Sequence, residues 1–121
     1  MRPIRLQGKK ANKYGAKKVS VDGILFASGA EARRYGQLAM MQKAGIIKDL
    51  IVQPMFSFEL NGVKICRYIA DFGYRDSATG GLIVCDVKGV LTREYIIKKK
   101  MMQAFHGIKV HEVKASTLRT R

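Results

Sequence analysis

Asp86-Val87-Lys88 closes an apolar run that begins at Leu82. In an extended strand, residues two apart project from the same face, so this carboxylate and this ammonium group stand side by side. The pairing suits metal-assisted hydrolysis of a phosphodiester: the carboxylate holds a divalent cation and the lysine positions or polarises the attacking water. The cation also neutralises charge that develops on the phosphate. Ile83, Cys85 and Val87 then fall on the opposite face and are expected to point into the core. A hard cation such as Mg2+ takes several oxygen ligands, so one carboxylate is not enough. Asp71 supplies a second, at the end of the run Cys66-Arg67-Tyr68-Ile69-Ala70-Asp71. If the two runs pair as a hairpin across Gly80-Gly81, the two acids meet. Taken alone, an Asp-x-Lys pair also reads as a surface ion pair, which contributes little to stability.

The elements that must carry these residues follow from turn and cap signals. Val19-Ser20-Val21 and Ile24-Leu25-Phe26 flank Asp22-Gly23, the signature of a two-residue hairpin turn. Ser28 with Glu31 three residues on is a capping box, which predicts a helix running to about Ala44 and closed by Gly45. Ala32, Tyr35, Leu38, Ala39 and Gln42 recur at helical spacing, with Arg33, Arg34 and Lys43 on the wetter side. Strands are predicted over 50–58, over 63–72 after the Asn61-Gly62 turn, and over 82–87. Thr92 caps a second helix to about Phe105, and a last strand covers 108–113. The predicted order is ββαβββαβ, an α+β domain with one sheet and two helices.

Composition bounds the partners. The chain has 121 residues, enough for one domain, and its 47% hydrophobic content is that of a folded protein. Twenty-three Lys and Arg against nine Asp and Glu give a net charge of +14, which makes nucleic acid the expected partner. A membrane surface is the competing polyanion, but no run reaches the ~18 consecutive apolar residues of a spanning helix. Residues 1–18 form a basic arm without acids, in which Lys9, Lys10, Lys13, Lys17 and Lys18 are candidate phosphate contacts. The start of this arm lacks the apolar core of a signal peptide, so a cytoplasmic location is expected. Residues 114–121 read as a basic tail. Cys66 and Cys85 sit in apolar runs and read as buried thiols rather than zinc ligands. His106 and His111 belong to no recognisable catalytic arrangement.

Ala70-Asp71, a hairpin and Asp86-Val87-Lys88 together resemble the PD-(D/E)xK motif of restriction-endonuclease-like nucleases, with Ala70 where that motif has proline. Over residues 14–113 the chain is similar to a group of small phage proteins of this superfamily, whose relatives include Holliday-junction resolvases and transposon-end nucleases. The resemblance implies a sandwich-like α-β-β-β-α-β core within residues 19–113, preceded here by the hairpin. It implies a site holding Mg2+, with Mn2+ able to substitute, between Glu31, Asp71, Asp86 and the Val87 carbonyl. It places Gln53, in Val52-Gln53-Pro54, close to the site. It also gives Lys98, among Lys98, Lys99 and Lys100, reach to the site's mouth or to a phosphate. Local readings stand beside these: a cap for Glu31, an edge residue before a proline for Gln53, and a solvated helix face for the three lysines.

The function so implied is a Mg2+-dependent DNA endonuclease that selects branched structures such as junctions or flaps, because phosphate contacts carry no base information. Symmetric substrates suit a homodimer, as in the resolvase relatives. The competing reading is a non-catalytic basic nucleic-acid binder. Convergence of Glu31, Asp71 and Asp86 separates the two, since gathered carboxylates raise one another's pKa values and are costly without a metal.

Overall fold

The computed structural model describes residues 17–118, so Lys9, Lys10 and Lys13 of the basic arm lie outside the described residues. The chain opens with the hairpin β1 (Val19–Val21) and β2 (Ile24–Phe26). Asp22 and Gly23 at its turn have φ of 52° and 75°, the left-handed pair that matches strand twist in a two-residue turn. Helix α1 (Gly29–Lys43) follows, with Ser28 Oγ accepting the Glu31 N–H at 3.2 Å. Gly45, at φ 82°, turns the chain out of α1, as its lack of a Cβ allows. Gln42 does not face inward with its helical neighbours; its Oε1 accepts the Leu50 N–H at 2.8 Å and ties the helix end to the next strand.

The remaining elements are β3 (Ile47–Val52), β4 (Met55–Leu60), β5 (Val63–Ile69), β6 (Phe72–Asp76), β7 (Leu82–Lys88), α2 (Arg93–His106), β8 (His111–Lys114) and a 3-10 turn over Ala115–Leu118. The fold is α+β, as predicted, but the runs predicted over 50–58 and 63–72 each break in two. The single predicted sheet becomes a two-stranded β1-β2, a four-stranded β3-β6-β7-β8 and a two-stranded β4-β5. The cause is local. Gln53 takes a left-handed φ of 56°, and Pro54 beside it has no N–H to donate, so the ladder cannot continue straight. The partner chain bends at the same level: the Gln53 N–H donates to the Asp71 carbonyl at 2.9 Å and the Ala70 N–H to the Pro54 carbonyl at 3.1 Å. The result is one bent ribbon, whose first limb (β3, β6) joins the large sheet and whose second limb (β4, β5) leaves it.

In the large sheet β6 runs antiparallel to both β3 and β7, while β7 and β8 are parallel and connected through α2. Both faces of the sheet are covered. On one side Phe26, Ala32 and Leu38 pack with Ile47, Phe72 and Cys85, and Ile83 and Val87 lie against this cluster as strand alternation requires. On the other side Phe58 and Tyr68 of the departing ribbon and Tyr95 and Met102 of α2 close over Val84. Alternation along β7 puts Asp86 on the same side as Val84, which explains its burial. The predicted last strand over 108–113 forms only at His111–Lys114, and the fold runs on to the buried Leu118, so part of the predicted tail belongs to the domain. Among the described residues no helix is long and apolar enough to cross a membrane.

Leu38 is fully buried between α1 and the sheet. Leu38→Ala is expected to destabilise the domain by about 2–5 kcal/mol, the range for a core leucine that leaves a cavity. Urea unfolding followed by circular dichroism checks the value.

Candidate active site

Among the described residues only three polar or charged side chains are buried, and they come together where the ribbon bends: Gln53 (5% exposed), Asp71 (4%) and Asp86 (1%). Asp71 lies in the gap between β5 and β6, where the ladder no longer claims its N–H. That N–H donates to Asp86 Oδ1 at 2.7 Å, and Asp71 Oδ2 in turn accepts the Val87 N–H at 2.8 Å. Two reciprocal bonds thus lock the acid at the bend to the end of β7. The Tyr68 hydroxyl donates to Asp86 Oδ2, and Lys88 Nζ stands 3.7 Å from the same oxygen. Burying a carboxylate is expensive unless it is hydrogen-bonded and paired, and these contacts are what offset that cost.

The Lys88 ammonium also sits over the Tyr95 ring, 4.0 Å from its centroid. The Tyr95 hydroxyl donates to Glu112 Oε2 at 2.8 Å, and Lys99 pairs with the same oxygen at 2.9 Å. Burial pushes the Tyr95 phenol well above its ordinary value, and the negative charges of Glu112, Asp86 and Asp71 push it further. Lys99, and then Tyr95, hold the Glu112 carboxyl below the usual carboxylate range. Two open clefts flank Lys88. The smaller, about 270 Å³, is lined by Arg67, Tyr68, Tyr95 and Lys98 among others. The larger, about 520 Å³, is lined by Ala30, Arg33, Leu91 and Lys114 among others.

Residues 11–120, nearly the whole chain, match the family described as "Protein of unknown function (DUF1064)". The chain belongs to this family. No curated protein and no solved structure matches it.

In this DUF1064 chain the candidate residues divide. Asp71, Asp86, Val87 and Lys88 are brought together. Glu31 is half-buried in the first turn of α1, between Ala30 and Arg33, which line the larger cleft. Among the described residues, no group of three or more His, Cys, Asp or Glu is placed to hold a metal ion, so Glu31 does not complete the aspartate pair into such a group. Gln53 follows β3, an edge strand of the four-stranded sheet, yet it is not exposed. It is buried against the Asp71 backbone, and its side-chain Nε2 is enclosed without a hydrogen-bond partner.

The basic residues divide as well. Arg33 and Lys98 line the clefts, Lys98 paired with Glu94 at 3.0 Å. Lys99 is engaged by Glu112, while Lys17, Lys18 and Lys100 are exposed. Arg34 departs from its expected place on the wetter face: it bonds Gln37 Oε1 at 2.9 Å and lies beside Tyr74 and Cys85, where its charge opposes the rise that burial imposes on both. His106 bonds the Ser57 carbonyl at 2.8 Å and packs on Phe56 and Phe58, a structural role.

Tyr68, Tyr95 and Glu112 are the site residues that the sequence did not announce. Each meets its partner across 17 or 18 residues of chain, and no local spacing signals such a meeting. Cys85 is a buried thiol, as predicted, with its pKa pushed up to about 11 by burial. Alkylation of the folded chain at pH 8 is expected to modify the half-buried Cys66 and spare Cys85, since the thiolate is the reactive form. Mass spectrometry of the labelled peptides checks it.

Proposed function

We propose that this chain is a metal-dependent DNA endonuclease with a site of the PD-(D/E)xK type, acting on branched DNA. The observation that carries the reading is the bonded pair Asp71 and Asp86, buried beside Lys88, in a chain of net charge +14 with only nine acids. A protein that merely attracts phosphate gains nothing from setting two of its few carboxylates in one desolvated corner. The element order also supports it: with each bent limb counted together with its continuation, α1, the ribbon strands, β7, α2 and β8 follow an α-β-β-β-α-β succession.

The donor set fits Mg2+. This ion keeps several waters and is commonly held by one or two carboxylates together with substrate phosphates, rather than by an all-protein cage. Carboxylate oxygens that already accept a hydrogen bond keep further acceptor capacity. The buried Gln53 amide nitrogen beside Asp71 is a donor that a site water would satisfy. In this reading Asp71, Asp86 and the Val87 carbonyl would hold the ion without a third carboxylate from the chain, and Mn2+ substitutes. When bound, the ion supplies Lewis acidity toward the phosphate. The chain does the rest. Tyr68 fixes the orientation of Asp86, Lys88 positions the water for in-line attack, and the Tyr95 face keeps the Lys88 ammonium in place.

Tyr95→Phe keeps that face and loses only the bond to Glu112, whereas Tyr95→Leu removes the ring. The Leu variant is expected to cut about tenfold more slowly than the Phe variant, within the range of a partly desolvated cation–π contact. Single-turnover rates of the two check it.

The test of the proposal is cleavage of labelled four-way junction, flap and linear duplex DNA with Mg2+, Mn2+ or EDTA. Metal-dependent cutting that favours the branched substrates supports it. Binding to all three without cutting in either metal would instead make the chain a basic nucleic-acid binder.

A further inference from the structure

Lys88 lines both clefts, and the segment that follows it contributes residues to each. Gly89 and Leu91 face the larger cleft and Thr92 the smaller. Val90 lines neither, and it and Leu91 are 59% and 53% exposed, an aliphatic pair left in water on the segment that the clefts share. The smaller cleft presents Arg67, Lys88 and Lys98 against one acid, Glu94, which is already paired with Lys98. The larger presents Arg33, Lys88 and Lys114 against Glu112, which is already engaged by Lys99 and Tyr95. The two cationic hollows thus share Lys88, and the exposed aliphatic pair lies on the segment they have in common.

We propose that the Val90-Leu91 ridge inserts at a DNA base step while the two clefts hold the phosphates on either side of it. The proposal rests on the nuclease reading and names the feature that such a site would select: a step whose stacking is already broken. Apolar wedges flanked by basic side chains unstack base steps, and unstacking costs least at a branch, mismatch or single-stranded end. A lipid surface also carries negative charge, but a flat surface cannot enter two hollows. A nucleic-acid strand can, because its phosphates repeat along a flexible backbone with apolar faces between them.

The experiment uses the full chain in EDTA, with four-way junction and linear duplex DNA carrying 2-aminopurine at single positions. With the natural chain, emission is expected to rise at bases beside the branch. With the Val90→Ser, Leu91→Ser double variant at saturating protein, that rise is expected to be lost while the salt dependence of binding is kept. Arg67→Gln and Lys114→Gln are expected to do the reverse, keeping the rise at saturation and lowering the slope of log affinity against log salt by about 0.7–0.9 each. Lys64→Gln, on the exposed second limb of the ribbon, serves as the control with an unchanged slope.

An emission rise that survives in the double variant overturns the proposal, and so does a natural chain that binds anionic vesicles but no DNA. The two readings fail separately. Cutting in Mg2+ without unstacking overturns the ridge alone. Unstacking without cutting overturns the nuclease alone.

Discussion

Asp86→Asn is expected to slow metal-dependent cleavage by about 10³-fold or more, roughly 4 kcal/mol of transition-state stabilisation, while the chain stays folded. Asp86 is the most enclosed charged side chain among the described residues, at 1% exposed. Its Oδ1 accepts the Asp71 N–H, and its Oδ2 takes both the Tyr68 hydroxyl and the Lys88 charge. Asparagine keeps the volume and one acceptor, but it removes the charge and turns an NH2 toward a group that is itself a donor. One lost buried hydrogen bond costs about 1–3 kcal/mol, so the melting temperature falls without the fold collapsing. Asp86→Ala is the poorer test, because it orphans two donors at once and mixes stability with activity. Single-turnover cleavage alongside a thermal melt separates the two effects. A variant that cuts at the natural rate would reduce Asp86 to a structural acid that holds the bend to β7.

Lys88→Met is expected to lower the cleavage rate by about 10²-fold or more, with affinity for DNA much less changed. Methionine preserves most of the aliphatic stem against the Tyr95 ring and deletes the ammonium that stands 3.7 Å from Asp86 Oδ2. What is lost is the group proposed to position the water, while Arg33, Arg67, Lys98 and Lys114 still line the clefts. Lys88→Arg is not expected to restore the rate. A planar guanidinium over Tyr95 presents its donors in a fixed fork, where the ammonium offers a compact charge with rotatable donors. Rates at saturating protein, set against binding measured in EDTA, show which quantity moves. Equal losses in both would make Lys88 one phosphate contact among several.

The parts of the fold written in local chemistry were legible. Asp22-Gly23 and Asn61-Gly62 both adopt the left-handed pair that their composition favours, and Ser28 and Thr92 both cap the helices they precede. The bend was not legible, because apolar residues flank it on both strands, Val52 and Met55 on one and Ile69 and Phe72 on the other. Periodicity reads such a run as one strand. Pro54 was the only local warning, and it gives no sign that the partner strand bends at the same height. From that omission came the miscounted sheets, and nothing in the pattern signalled that the bend buries Gln53 at the sheet's edge.

Of the site, Asp71, Asp86 and Lys88 were readable because strand alternation and a hairpin suffice to bring them together. Tyr68, Tyr95 and Glu112 arrive from different elements, and only the packing of α2 and the ribbon over β7 decides that they meet. Arg34 shows a related limit. The helical wheel sets it on the wet side, yet its long side chain reaches back to Tyr74 and Cys85 in the sheet. Glu31 shows the same limit from the other direction, since its place in a capping box is fixed by sequence while its distance from the aspartate pair is fixed by how α1 packs.

Mn2+ binding tests the proposed metal centre of Asp71 and Asp86 more directly than cleavage, which a trace of contaminating nuclease can imitate. Mn2+ is titrated into the full chain in the presence of a phosphorothioate-protected junction and followed by electron paramagnetic resonance, alongside the Asp71→Asn and Asp86→Asn variants. One or two ions per chain, lost in both variants while DNA binding persists, is the expected result. Ion uptake that is the same in all three proteins, or absent from the natural chain, would contradict that proposal.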